Sequence, residues 1–248
     1  MSTPYWEGFI KNTNNTMTNS IPQFLSLENK IGINFPDQKL LQQAFIHRSY
    51  LNEHHGEVLF SNEKLEFLGD SVLSLITSIY LFNNYPEYNE GTYTDIKASI
   101  VRTESLAVAS RELGLGQYLM LSKGERDNKG EDNTSILADC FEAFLATIFL
   151  EHDFEKAYEF VETFLFKGKL EKIVENKLYQ PAKNRLQEYS QEKYKELPKY
   201  VVLSEIGPQH NKTYTVGVYY KKKELARGAG KSKKEAEENA AYIALQNL

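Results

Sequence analysis

Between residues 25 and 170 the apolar side chains return every three or four positions. The runs are Leu40–Phe45, Leu65–Phe82, Ile96–Leu113, Ile136–Leu150 and Phe154–Phe166, and this spacing puts each apolar set on one side of an α-helix. Strand-type alternation is largely missing there. Punctuation falls between the runs, at Pro36, Pro86 and Gly91 and in a glycine-rich stretch at Gly114, Gly116, Gly124 and Gly130, where helices stop and chains turn. The pattern predicts an all-α domain. Lys167–Gln180 is charged with a helical tendency, and Pro181 marks a break, because a proline disfavours helix in the residue before it.

Past Pro181 the period changes. A helix is predicted over Lys183–Lys195, then alternating runs over Lys199–Glu205 and Thr213–Tyr220, a short third run over Glu224–Arg227, and an alanine-rich helix over Lys233–Leu248. The order α-β-β-β-α buries its apolar sides most simply as a three-stranded antiparallel sheet with both helices on one face. The expected organisation is a disordered polar tail over 1–24, an all-α domain over 25–172, a linker over 173–180 and a small α+β module over 181–248, with the break placed near Leu178.

Composition narrows the class. The chain has 248 residues, 41% hydrophobic and 25% charged, which excludes disordered, collagenous and fibrous proteins. The single cysteine, Cys140, permits no internal disulfide and reads as a core residue in a reducing compartment. No window approaches the roughly 18 uninterrupted apolar residues of a bilayer span; Ile136–Leu150 is broken by Asp139 and Glu142. The first twenty residues carry the polar run NTNNTMTNS rather than a signal or transit peptide. A cytoplasmic protein with no membrane partner is expected.

The net charge of −5 would argue against a nucleic-acid partner if it were spread evenly. It is not. Residues 181–248 hold 13 Lys and Arg against 8 Asp and Glu, a net of +5, which leaves 16 against 26, a net of −10, for residues 1–180. An acidic unit precedes a basic one.

The acidic unit places carboxylates where they are costly. Over Leu65–Phe82 the only charges are Glu66 and Asp70, which share a helical face with Glu63 just upstream; over Ile136–Leu150 the only charges are Asp139 and Glu142, again three apart. An unpaired carboxylate in an apolar setting costs several kcal/mol, and no Lys or Arg stands three or four residues from Asp70, Asp139 or Glu142. Side-by-side packing of the two helices would converge four hard oxygen ligands on a site suited to Mg²⁺ or Mn²⁺. The plainer alternative is that the acids sit at helix ends or meet Arg102 or Arg111. His47, with no second histidine beside it, reads as a hydrogen-bonded structural residue.

In the basic unit, Lys231, Lys233 and Lys234 are predicted at the first turn of the last helix, after Gly228 and Gly230. Three lysines oppose the helix dipole, so a phosphate partner accounts for them better than helix stability does. The G-K-S string is not a P-loop, since the required first glycine is replaced by Leu225.

At these residues the chain resembles a known family. NEKLEFLGDSVL over Asn62–Leu73 is similar to the signature of the ribonuclease III family, and LADCFEAFLATIFL over Leu137–Leu150 to its second acidic motif. The likeness extends through HRSY at His47–Tyr50, EG at Glu90–Gly91 and VRTESLA at Val101–Ala107. The tail resembles a double-stranded-RNA-binding domain in LQEYSQ, GPQHNKTY and GAGKSKKEAE. The resemblance implies an all-α endonuclease domain followed by a small α+β RNA-binding domain. Glu66, Asp70, Asp139 and Glu142 would be metal-binding carboxylates, with Asp70 and Glu142 catalytic and Glu63 and Glu90 supporting. Phe67 would lie at a homodimer interface, so that the dimer carries one site for each RNA strand. Some relatives lack the carboxylates and only bind RNA; all four are kept here.

The resemblance further implies metal-assisted hydrolysis of duplex RNA to 5′-phosphate and 3′-hydroxyl ends with short 3′ overhangs. Mg²⁺ would be the cofactor, Mn²⁺ able to substitute, and no organic cofactor is implied. The expected roles are the processing of ribosomal, messenger and small RNAs. Because A-form RNA exposes its minor grooves and phosphates, Gln187 and Glu188 would meet one minor groove, His210 the next, and Lys231, Lys233 and Lys234 the phosphates between them. Such binding weakens steeply with salt. Three departures stand out: Lys64 for the usual arginine, Tyr214 for a frequent phenylalanine, and Pro181-Ala182-Lys183-Asn184 for an acidic-aromatic start, which leaves the first module helix without its usual cap. The competing classes are a non-catalytic double-stranded-RNA-binding protein and an unrelated metal enzyme with an appended RNA module.

Overall fold

A computed structural model describes residues 24–54, 59–208 and 211–248. The chain divides into two units between Glu171 and Lys172.

The first unit is helical. In chain order the helices are α1 (Leu25–Ile31), α2 (Gln38–Ala44), α3 (Arg48–Leu51), α4 (Glu63–Asn84), α5 (Glu90–Ile100), α6 (Thr103–Leu113), α7 (Lys123–Asp127), α8 (Thr134–Glu151), α9 (Phe154–Val161) and α10 (Leu170–Glu175), within which the division falls. Helix starts are capped by the side chains that favour that position: Asp37 accepts from Lys39 and Leu40 N–H groups, Asn89 from Thr92, Asn133 from Ser135 and Ile136, Asp153 from Lys156. The predicted run Ile96–Leu113 is two helices. Arg102 takes an extended backbone as the first residue outside α6, and the Ser105 hydroxyl donates to the Ser99 carbonyl across the break. The glycine-rich stretch holds α7 and two short 3₁₀ turns, Leu115–Tyr118 and Gly130–Asp132. Beyond α9 the chain continues through one wider π turn, Glu162–Phe166, which sends Leu165 and Phe166 inward.

Helix α8 is the centre of this unit. Eleven of its residues are buried, among them Phe141 and Phe144. Phe144 meets Phe35, Phe45 and Phe160 at ring separations of 5.6 to 5.8 Å. Its main partner is α4. They approach so closely that a Cβ built on Gly69 would stand 1.9 Å from the Glu142 carbonyl oxygen, so only a glycine permits this crossing. Helix α4 is the longest helix among the described residues. Its 22 residues are long and apolar enough, by length and composition alone, to cross a membrane, with a best-window hydropathy of 1.4. Its apolar residues have two destinations here: Leu65, Val72, Leu73, Ile76 and Leu81 enter the core, while Phe67, Leu75 and Phe82 form an exposed strip.

The second unit contains α11 (Ala182–Tyr194), β1 (Lys199–Ile206), β2 (Thr213–Tyr220), β3 (Lys223–Gly230) and α12 (Lys233–Gln246). The sheet is antiparallel in the order β1-β2-β3, with Val201 opposite Gly217 and Gly217 opposite Arg227; the β1 register shifts between Val202 and Ser204. Leu186 of α11, Val218 and Ala226 of the sheet and Ala240, Ala241 and Ala244 of α12 share one core. The alanines keep α12 close: a Cβ on Gly228 would stand 2.1 Å from the Ala240 nitrogen.

The missing cap of α11 is supplied from another helix. Pro181 offers no side-chain acceptor, and Glu238 of α12 accepts instead from the Ala182 and Lys183 N–H groups, while Glu237 pairs with the Lys183 ammonium. One carboxylate thereby satisfies two orphan donors and ties the two helices together. Two substitutions test these contacts. Glu238→Ala is expected to cost about 1–2 kcal/mol of stability, read as a lower urea midpoint. Gly69→Ala is expected to cost about 1–3 kcal/mol or more through overpacking, and to lower divalent-cation affinity as well, because α4 and α8 must separate; calorimetry of unfolding and of metal binding reads both.

Candidate metal centre and RNA-binding face

The crossing at Gly69 places Glu66 beside Asp139 and Glu142. One carboxylate oxygen from each of the three lies within 4.8 Å of the others. Asp70, one turn after Glu66 on α4, is exposed and outside this tightest group; its charge nevertheless acts on Glu142 more strongly than that of any other residue. Thus three of the four predicted carboxylates converge closely, and the fourth stands at the solvent edge. Arg102 and Arg111, the alternative partners read from the sequence, are engaged elsewhere, Arg102 with Glu104 and Arg111 with Asp132.

The electrostatics are those of a cation site. Burial pushes the Glu142 carboxyl up to about 8, with Asp70, Glu66 and Asp139 adding repulsion. Burial raises Glu66, helped by Asp139 and Glu63, and burial raises Asp139, opposed by His47 and Arg48. Repelling carboxylates in partly dry surroundings gain most from a hard divalent cation, which neutralises charge and accepts oxygen ligands. Arg48 is a site neighbour that periodicity and acid spacing did not reveal. Its guanidinium lies 3.8 Å from Glu63 and acts on both Glu66 and Asp139; HRSY was the available signal. His47 serves locally, its Nδ1 accepting from the Ser49 N–H at the start of α3.

The remaining predicted residues are dispersed. Glu63 opens α4 and accepts from the Ser61 hydroxyl at 2.8 Å. Glu90 is exposed at the start of α5 and outside the three-carboxylate group. Phe67 is 79% exposed. In the second unit Gln187 and Glu188 are exposed on α11, where Glu188 pairs with Lys177 at 3.0 Å. Lys233 and Lys234 open α12, but Lys231 precedes its cap, Ser232, rather than lying in the first turn, because β3 runs on to Gly230. All three lysines are exposed. His210 lies outside the described residues.

A helical domain with a clustered carboxylate centre, joined to a basic α-β-β-β-α module, defines the class of a metal-dependent nuclease carrying an RNA-binding domain. A family model described as Ribonuclease-III-like matches residues 37–169, and one described as Double-stranded RNA binding motif matches residues 182–248. The Ribonuclease 3 of Chloroflexus aggregans is 42% identical over 92% of this chain and 99% of its own length, and that of Geobacillus kaustophilus 40% identical over 91% of each. The nuclease domain of ribonuclease III from Campylobacter jejuni superposes with a TM-score of 0.55 at 34% identity, covering 59% of this chain and 98% of that one. The chain belongs to the ribonuclease III family and is a double-stranded-RNA endoribonuclease.

The raised carboxyls link metal-free stability to pH. A carboxyl raised on folding binds its proton more tightly in the native state, so stability is present at low pH and lost as pH rises from about 4.5 through about 8. The metal-free protein should therefore melt at a lower temperature near pH 8 than near pH 5, Glu142→Gln should flatten that fall, and a saturating divalent cation should reverse it in the parent protein; thermal denaturation with and without EDTA reads all three.

Proposed function

We propose that this enzyme hydrolyses both strands of duplex RNA as a homodimer with Mg²⁺, Mn²⁺ being able to substitute, and leaves 5′-phosphate and 3′-hydroxyl ends with short 3′ overhangs. The observation that carries the reading is the convergence of Glu66, Asp139 and Glu142 within 4.8 Å on a chain that also holds a double-stranded-RNA-binding motif. Bound there, the cation would supply Lewis-acid activation of a water and neutralise charge on the departing 3′ oxygen. Glu66, Asp139 and Glu142 would hold it. Asp70, exposed beside Glu142, would orient the attacking water and take its proton, with Glu63 and Glu90 as supporting acids.

Domain limits of 25–172 for the catalytic part and 181–248 for the binding part accord with this division of labour. Gln187 and Glu188 would read one minor groove, His210 the next, and Lys231, Lys233 and Lys234 the intervening phosphates. Phe67, Leu75 and Phe82 offer an exposed apolar strip on α4, a suitable contact for a second copy; the Campylobacter jejuni nuclease domain is described as flexible in a region involved in dimer formation. The cellular role proposed is maturation of ribosomal, messenger and small RNAs in the cytoplasm, with no organic cofactor and no membrane partner.

The decisive experiment incubates labelled long RNA duplex with protein in Mg²⁺ or EDTA, beside Glu142→Gln, matched single-stranded RNA and duplex DNA. Metal-dependent cutting of duplex RNA alone is expected, slowed on the order of a hundredfold or more in Glu142→Gln with binding retained. Shifted but uncut RNA in every lane would overturn it. Phe67→Glu should convert the dimer to monomer in sedimentation, since a buried unpaired charge at an apolar contact costs more than the contact returns; an unchanged dimer would place the interface elsewhere.

A further inference from the structure

One end of the second unit carries an aromatic and basic cluster that the duplex-binding groups do not use. At the end of α11 and the β2–β3 turn, Tyr194 and Tyr220 stack with ring centres 4.0 Å apart and planes 27° from parallel, and Tyr189 meets Tyr194 edge-on at 6.2 Å. The Lys193 ammonium lies over the Tyr189 and Tyr194 rings at 4.9 and 5.5 Å, and Lys221 over the Tyr220 ring at 5.4 Å. Lys222 in the turn and Lys223 at the start of β3 continue the positive charge, both exposed; Glu196 lies 3.9 Å from Lys221.

Two features of this cluster bear on its role, although positive φ occurs also at Lys129 and Lys177 elsewhere in the described residues. The first is backbone strain. Lys195, which ends α11, has φ +58°, and Lys221 has φ +53°. Glycine or asparagine takes these left-handed positions readily, and a lysine does so at a cost. Lys221 puts its ammonium over the Tyr220 ring, and Lys195 directly follows Tyr194 in the chain. The second feature is position. Lys233 lies over Tyr214 near the start of β2, and Tyr220 ends the strand, so at roughly 3.3 Å per residue the two ends stand about 20 Å apart. On α11, Tyr194 lies seven residues beyond Gln187, about 10 Å further along the axis and on nearly the same flank, so the cluster is displaced from the proposed groove contacts along the helix rather than across it.

We propose that Tyr194, Tyr220 and the lysines around them form a second RNA site, which takes unpaired nucleotides flanking or interrupting the duplex. A stack of tyrosines extends by adding a base, and the fixed ammonium groups pair with the phosphates on either side. A continuous duplex cannot use it, because its base faces are already stacked within the helix. The site rests only on RNA being the substrate class and uses residues other than the carboxylates and the groups proposed to hold the duplex.

The test measures affinity of the full-length protein in EDTA for a blunt RNA duplex and for the same duplex with a twelve-nucleotide uridine extension. The extension should tighten binding about tenfold, the order expected for one or two stacked bases. Tyr194→Ala combined with Tyr220→Ala should erase that gain while leaving blunt-duplex affinity, and Mg²⁺-dependent cleavage of the blunt duplex, within twofold of the parent. Because the double variant could lose its fold, Lys195→Gly with Lys221→Gly serves as the second arm: relieving two strained positions should raise the melting temperature by several degrees and still reduce the gain from the extension. Equal binding of blunt and extended duplexes by the parent, or an unchanged gain in the folded glycine variant, would overturn the proposal. Normal blunt-duplex binding in any of these outcomes leaves the main function standing.

Discussion

The structure of the catalytic unit depends on one close approach. At Gly69 the backbones of α4 and α8 come within a distance that excludes even a methyl group, and the side chains flanking that point are the carboxylates. Helices whose larger side chains meet are held about 8–10 Å apart at their axes; replacing the contact residue by hydrogen lets them come closer and brings Glu66 into the company of Asp139 and Glu142. The burial of Phe141, Phe144 and the apolar side of α4 provides the stabilisation that holds like charges together. The site is thus a repulsive arrangement maintained by packing, and burial together with the neighbouring carboxylates raises the Glu142 carboxyl.

The second unit solves a related problem by the opposite means. Its core is built mainly of alanines, with Leu186 and Val218, rather than phenylalanines, so α12 sits close on β3 at Gly228 and contributes polar as well as apolar contacts. Glu238 reaches across to cap α11 and Glu237 reaches Lys183. With those links the two helices that would present Gln187 and Glu188 on one side and Lys233 and Lys234 on the other are fixed by hydrogen bonds as well as by packing. Spacing between RNA-contacting groups is what shape recognition of a duplex needs.

Much of this is legible in the sequence. The period of apolar residues marks the helices and the change of period marks the α-β-β-β-α unit, because both signals are local. The acid pairs stand out because carboxylates in uncharged helices need an explanation. What escapes is the part that depends on through-space contact. Nothing in the run Ile96–Leu113 signals that Arg102 leaves the helix. That Asp70 stands outside the tight group of Glu66, Asp139 and Glu142 is a through-space fact that spacing alone does not give. Lys231 falls outside the last helix because β3 continues three residues past Arg227, where its alternation fades, to Gly230. The cap on α11 comes from Glu238, more than fifty residues downstream, and is invisible to a search for a local acceptor.

Helix α4 has committed each of its sides. One buries Leu65, Gly69, Val72, Leu73 and Ile76, another carries Glu63, Glu66 and Asp70, and a third exposes Phe67, Leu75 and Phe82 to the outside. A helix with one buried stripe can drift in sequence over the rest of its surface; this one has little surface left over. Its freedom to change therefore lies in its last turns, near Asn83 and Asn84, and in the polar gaps at Ser71, Ser74 and Ser78. For anyone redesigning the enzyme, α4 is best treated as a fixed part.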